Sequence, residues 1–321
     1  MASTKLNSRT PDWDHSTWLQ RFHDSVHNHG FCDSLRRDVY ANTIEIVHAA
    51  AYKSAAGKTV YLDNEAISKS QAATVFYPDT RVLEKPLSGS VYATEVFTIG
   101  ADCLETARLL ALAGFNPAVL NMADSYIPGG LVEQGIGTQE ENIFRRSTAF
   151  SSLLQFVDAP ARYKVKRNLL FSYPIPEESG GIYSPDLCVF RSSEKTGYHL
   201  LDKPYPLHLI TVAAIAYPDL VRKAGVLELA EAEIEPAKEK IRAILRIGQA
   251  HSHDALVLSA FGCGAFQNPP EHVARLFREV LAEEEFAHTF RLIVFAIIGD
   301  SFGHSRHNPQ GNLLPFQLEF N

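Results

Sequence analysis

Residues 119–148 read VLNMADSYIPGGLVEQGIGTQEENIFRRST, a stretch that sets adjacent glycines, adjacent glutamates and adjacent arginines close together. Glu140 and Glu141 are the pair most suited to chemistry. Two neighbouring carboxyl groups in unlike surroundings can divide the roles of proton donor and ionised partner, because like charge and partial burial raise the proton affinity of one of them. Pro128-Gly129-Gly130 lets the backbone come close to a ligand and turn N–H groups towards it, which favours an anionic group such as a phosphate. Thr138-Gln139-Glu140-Glu141 opens a helix whose dipole has the same preference. Each feature also has an ordinary reading. Pro-Gly-Gly is a common turn, Thr138-x-x-Glu141 fits a capping box, and the default role of Arg145 and Arg146 is an exposed or half-buried pairing with Glu141 or Asn142 one turn away.

A second apolar run, 255–261, breaks into Gly262-Cys263-Gly264-Ala265-Phe266. Asn268-Pro269-Pro270-Glu271 then starts a helix with an asparagine cap, proline in the first turn and a capping glutamate. Strand, glycine loop and helix start together bind phosphate, and in α/β sheets such loops line the carboxyl edge, where this one would face the first. Phe266 is placed either to cap a sugar or base or to fill the core.

The first stretch resembles the loop of the microbial-type poly(ADP-ribose) glycohydrolases, a macrodomain-like family whose signature is three glycines, a short spacer and Gln-Glu-Glu. Here it reads Gly129-Gly130-Leu131, seven residues, then Gln139-Glu140-Glu141, and the family's Arg-Arg-Ser follows as Arg145-Arg146-Ser147. Arg36-Arg37 ahead of a helix, IYSPDLCVF at 182–190 and SAFGCGAFQNPP at 259–270 extend the similarity from about residue 35 to the end. Two positions depart from the pattern. Leu131 replaces the third glycine, which bears on how closely the backbone approaches a ligand. Asp124 stands where the family usually carries asparagine or another small polar residue, and its carboxylate would repel a diphosphate or grip a ribose hydroxyl.

The resemblance implies an enzyme that releases ADP-ribose from poly(ADP-ribose) by cleaving the ribose–ribose bond. It implies Glu141 as the acid that protonates the leaving oxygen and then deprotonates the attacking water, with Glu140 ionised on the ribose hydroxyls. Asp124, Gly129, Gly130, Gln139 and Gly262, Cys263, Gly264, Ala265 and Phe266 would bind substrate, the glycine loops holding the diphosphate. It calls for no cofactor and no metal. Two other readings stay open: removal of a single ADP-ribose from protein or nucleic acid, and a non-catalytic ADP-ribose-binding module.

The elements that must position these residues alternate from residue 91 as strands and helices, the pattern of an α/β layer fold. The expectation is a macrodomain-like mixed sheet flanked by helices, with strands at 91–99, 118–120, 168–173, 186–190, 207–217, 255–261 and 292–298. Cys103, Leu104, Ala107, Leu110 and Ala111 form a helical stripe stopped by Gly114. Residues 228–251 read as a charged helix that Pro236 breaks or kinks. Ahead of these lie a helix at 35–52, a strand at 58–62, and a helix and proline-bearing connector to residue 90. We therefore expect a mostly helical accessory segment at 1–90, with Trp13 and Trp18 anchoring it, and a catalytic domain at 91–321.

Composition narrows the classes. With 321 residues, 45% hydrophobic and 21% charged, the chain has the make-up of a soluble globular protein. A net charge of −7 without a basic run excludes bulk attraction to nucleic acid or anionic lipid, so a phosphate must be held locally. No window approaches the roughly 18 apolar residues of a membrane helix, and the opening MASTKLNSRTPDWDHSTW lacks an apolar signal core, so no secretion is expected. Cys32, Cys103, Cys188 and Cys263 are too scattered for a zinc ribbon or a disulfide scaffold, which fits a cytoplasmic or nuclear setting. The pairs His251/His253 and His304/His307 lack metal-site spacing and are expected in solvent. Neither a G-x-S-x-G elbow nor a P-loop is present. A monomer whose partner is ADP-ribose or an ADP-ribosylated protein is the resulting expectation.

Overall fold

The computed structural model describes residues 10–84, 92–299 and 305–321. The described chain begins with α1 (His15–Asp24) and α2 (His29–Ala49), a hairpin of β1 (Ala51–Lys53) and β2 (Thr59–Tyr61), α3 (Asn64–Ala72) and β3 (Val75–Tyr77). It continues through β4 (Glu95–Ile99), α4 (Cys103–Leu112), β5 (Pro117–Met122), α5 (Gln139–Arg146), α6 (Ala149–Leu153), β6 (Gly181–Arg191) and β7 (Leu200–Val212). A second hairpin, β8 (Leu220–Lys223) and β9 (Val226–Leu229), precedes α7 (Glu231–Ala250), β10 (Ala255–Leu258), α8 (Pro270–Leu281), β11 (Leu292–Ala296) and α9 (Leu313–Phe320). Helix starts follow short polar side chains. Asp14, Asn28, Asp63 and Asp102 each accept an N–H of the first turn, and the Asn28 cap is why α2 begins six residues before the apolar pattern at Leu35 does.

Seven strands form one mixed sheet in the order β3-β6-β7-β5-β10-β11-β4. From β7 to β4 neighbours run parallel, whereas β6 is antiparallel to β7 and β3 to β6. The central strands are buried on both faces, as parallel strands covered by helices must be. On β5, Val119 joins a core built with α2, α4, α5 and α6, while Ala118 and Leu120 join a second core built with α7, α8 and α9. No helix among the described residues is long and apolar enough to cross a membrane.

Several sequence expectations change on contact with the fold. A division at residue 90 does not match the packing, because β3 is an edge strand of the main sheet and Tyr40, Ile46 and Val47 of α2 lie in its core; residues 85–91 themselves fall outside the described residues. Residues 168–173 are not a strand. The Asn168 side chain accepts the N–H groups of Leu170 and Phe171 at 2.9 and 3.0 Å, so a turn takes the backbone bonds a ladder would have used. β7 ends at Val212 rather than 217, and α7 runs on through Pro236 near its amino end, where one intrahelical bond is forgone. The two tryptophans do anchor the N-terminal helices: Trp13 Nε1 donates to Gly197 O and Trp18 Nε1 to Leu35 O.

Arg145 and Arg146 are buried rather than exposed. Arg146 Nη1 meets Asp102 Oδ2 at 2.7 Å, while Asp102 Oδ1 caps α4 through Glu105 N at 2.9 Å. Arg145 donates to the Tyr198 hydroxyl and to Ile136 O. The Arg146–Asp102 pair fixes α5 against the start of α4, and a buried guanidinium that loses its carboxylate is left uncompensated. Asp102→Ala is therefore expected to cost about 3–5 kcal/mol in urea denaturation; a loss below about 1 kcal/mol would show that Arg146 is held by other contacts.

Candidate active site

Because β7, β5 and β10 are parallel neighbours, the loops 213–219, 123–138 and 259–269 open on one edge of the sheet, the edge where α/β folds place ligands. Pairing of β5 with β10 stops at Val119↔Val257. Beyond it the Gln139 amide takes the partner's place, donating to Leu120 O at 2.6 Å and accepting from Met122 N at 2.9 Å. Gln139 thus fastens the start of α5 to the strand end. Its amide is spent on the backbone and is not free for the substrate contact expected of it.

Glu140 is 3% exposed, and its carboxyl group gathers N–H donors from three places: Asn121 Nδ2 at 3.1 Å and Gly129 N at 3.1 Å on Oε1, and Asp124 N at 2.8 Å on Oε2. Burial pushes its pKa up, to about 8, with the neighbouring Glu141 charge adding to the rise and the three donors opposing it. Both oxygens accept N–H groups of the protein, which makes Glu140 a tie between strand end, turn and helix, and burial works against the ionised state expected of it. Asp124 shapes the same turn, since its Oδ1 accepts from Tyr126 N at 2.8 Å and Ile127 N at 2.9 Å.

The glycines answer to packing against α5. Both have positive φ, and a side chain on Gly129 would overlap the Phe144 ring, while one on Gly130 would lie 2.6 Å from Glu141 Oε1. Their N–H groups are not a vacant cradle for a diphosphate: Gly129 donates to Glu140, and Gly130 donates to Ile127 O at 2.9 Å. What the bare Cα of Gly130 does is let the turn pass directly over the Glu141 carboxyl, which is itself buried at 5% exposure. That carboxyl accepts Leu131 N on Oε1 at 3.0 Å and the Thr138 hydroxyl on Oε2. Thr138 makes no side-chain cap on α5, so the capping box is not formed and the hydroxyl serves the carboxyl group.

Across the cleft, Cys263 is fully buried, its thiol pushed well up by burial, and its carbonyl accepts from His307 Nε2 at 2.9 Å. It contributes backbone only. Gly264 and Ala265 are exposed, and the N–H groups of Gly264, Ala265 and Phe266 bond to no described residue, just ahead of α8. Asn268 is not the cap of α8, a position held by Pro269; its Nδ2 donates to Ile215 O at 2.8 Å and Gly262 O at 3.1 Å and ties this loop to the one leaving β7. His307 and His253 are buried, contrary to expectation, and His253 belongs with His251, His208 and Tyr183 to a ring cluster packed around the opposite end of β7 and β10. Among the described residues no group of His, Cys, Asp or Glu is arranged to hold a metal. The sequence suggested a helix cap for Thr138 and an exposed position for His307, and it suggested no site role for Asn121. Its signal was a polar residue closing an apolar strand.

Residues 41–192 match the family model described as microbial-type PARG, catalytic domain. Among solved structures, poly(ADP-ribose) glycohydrolase from Thermomonospora curvata bound to the inhibitor ADP-HPD is 29% identical, with a TM-score of 0.68 over 89% of this chain and 99% of that one. The Deinococcus radiodurans poly(ADP-ribose) glycohydrolase in complex with ADP-ribose is 27% identical, with a TM-score of 0.59 over 81% of this chain and 98% of that one. No match is found among curated proteins. In residues 41–192, and in a fold shared with the bacterial enzymes over nearly their whole length, the chain is similar to the microbial-type poly(ADP-ribose) glycohydrolases.

Proposed function

We propose that the chain hydrolyses poly(ADP-ribose), with Glu141 as the acid and base of the reaction. The observation that carries this reading is the Glu141 carboxyl group lying beneath a bare glycine at the ligand edge of the sheet, held in place by Leu131 N and Thr138 Oγ1. Relatives of the same fold were solved with ADP-ribose and with ADP-HPD, which makes ADP-ribose the ligand to assign to the cleft. The N–H groups of Gly264 to Phe266, at the positive end of α8, take the diphosphate. Asp124, with Oδ1 committed to its turn, offers Oδ2 to a ribose hydroxyl. The ribose C1 then lies beside the start of α5. Glu141 protonates the leaving oxygen as positive charge builds on C1 and the ring oxygen, then takes a proton from the water that attacks C1. Glu140 touches no reacting atom and keeps the loop, and through it Glu141, in register.

Free ADP-ribose followed during incubation with poly(ADP-ribose), and separately with a mono-ADP-ribosylated protein, tests this. Shortening of the chains with release of ADP-ribose is expected. Release from the mono-modified protein alone would move the chain to single-unit removal, and binding without release would make it a reader.

A second expectation concerns pH. Since the folded-state pKa of Glu140 is raised to about 8, protonation favours the folded state. The stability tied to this group is complete below the ordinary carboxylate range and is lost as pH climbs through about 8. The melting temperature should therefore fall between pH 6 and pH 9, and fall less in Glu140→Gln, which cannot ionise. Equal falls in both proteins would place the titration elsewhere.

A further inference from the structure

Leu131 lends only its backbone to the chemistry above. Its N–H donates to Glu141 Oε1 at 3.0 Å, and Cα follows N at about 1.5 Å, so the root of the side chain lies within about 4.5 Å of that oxygen. The residue is held on both sides. Its φ of −100° suits any residue with a side chain, its carbonyl accepts Gln134 N at 2.9 Å to open the turn Val132–Gln134, and Val132 is buried in the core. A backbone fixed in this way fixes where the isobutyl group starts, and at 39% exposure that group is not turned into the core. Ile127 is also exposed on this turn, its carbonyl accepting N of Gly130, the residue before Leu131, at 2.9 Å. A single exposed leucine is ordinary on any protein surface. One bonded through its own N–H to a buried carboxyl group, where the family pattern has a glycine without a side chain, is placed to touch what that carboxyl group acts on.

We propose that the Leu131 side chain is a specificity determinant for the leaving group, packing against the adenosine of the ADP-ribose unit that departs when the chain is cut. The inference rests on the polymer-cleaving reading. In poly(ADP-ribose) the leaving oxygen joins two sugars: the ribose whose C1 is attacked, in the released unit, and the adenosine ribose of the neighbouring unit. A general acid has to come within about 2.6–3.2 Å of that oxygen, so both sugars adjoin Glu141. The released ribose is taken up beside the start of α5 on the way to the diphosphate loop, while the neighbouring unit continues towards solvent. Leu131, rooted beside the acid and exposed at the rim, borders that second sugar. Its apolar surface suits the C–H faces of a furanose and the adenine attached to it, and covering that surface on binding favours a leaving group that has such faces. The contact does not depend on charge, in a chain whose net −7 gives it no bulk attraction for a polyanion.

The test compares affinities for ADP-ribose, which ends at the cleaved bond, and for a short ADP-ribose oligomer, which extends past it. Both are measured in the Glu141→Gln background, where glutamine keeps an acceptor for Leu131 N and the oligomer is expected to persist. Adding Leu131→Gly, which deletes the side chain and keeps the N–H, should weaken oligomer binding by about fivefold or more with ADP-ribose binding unchanged. Adding Leu131→Met instead, which restores an apolar side chain of similar size, should retain the oligomer affinity. Unchanged oligomer affinity in the glycine variant would overturn the proposal, and so would a gain, which would make the leucine an obstruction. An equal loss for both ligands would also overturn it, by placing the side chain on the released unit or in the support of the loop. If Glu141→Gln alone binds ADP-ribose but gains nothing from the oligomer, the leaving-side contact is removed and the ADP-ribose site stands. Failure to bind either ligand would bring down the polymer reading and this proposal with it.

Discussion

A carboxyl group almost without access to water, accepting N–H donors from Asn121, Asp124 and Gly129, is the constraint on which the cleft depends. Buried donors without acceptors each cost about 1–3 kcal/mol, so these have to converge on Glu140, and in doing so they bring the end of β5, the glycine turn and the start of α5 to one point. The rest follows from that convergence. Gly129 must lie flat on Phe144, Gly130 must pass over Glu141, and Gln139 is left beside the unpaired end of β5, where its amide stands in for a strand. Adjacent glutamates thereby acquire different partners: Glu140 gathers N–H donors from strand end, turn and loop, whereas Glu141 accepts one backbone N–H and the Thr138 hydroxyl.

The two departures from the family pattern are accommodated by the same geometry. What the loop requires at Leu131 is a backbone N–H for Glu141 Oε1, and any residue but proline supplies it; the leucine side chain projects outwards at the rim, 39% exposed. What it requires at Asp124 is a short side-chain acceptor for Tyr126 N and Ile127 N, and aspartate meets that as asparagine would. The carboxylate that would have repelled a diphosphate faces the turn with one oxygen, while the free N–H groups for an anion lie on the other loop.

Much of the fold was legible because its signals are local. The apolar runs of β5 and β10, the stripe of α4 with Gly114 behind it, and the two glycine loops each lie within a few residues. The family resemblance singled out Glu141, but nothing in the spacing of two adjacent glutamates says which is enclosed, since the donors to Glu140 come from residues 11 to 19 positions earlier. The arginines were misread for the same reason. Their partners Asp102 and Tyr198 are 44 and 53 residues away, and helical spacing pointed to exposed neighbours on α5 instead. Asn168 and Asn268 show the other failure, polar side chains that take backbone bonds in place of the strand and the cap their surroundings suggested.

Separation of the two glutamates' roles is open to one direct measurement, the rate of ADP-ribose release from poly(ADP-ribose) by Glu141→Gln alongside its affinity for ADP-ribose. Glutamine can accept Leu131 N as glutamate does but cannot give a proton to a leaving oxygen. Release should fall by about 10²- to 10⁴-fold with ADP-ribose binding and melting temperature preserved. Turnover at close to the parent rate would contradict the assignment of Glu141 and return it to the role of a loop fastener.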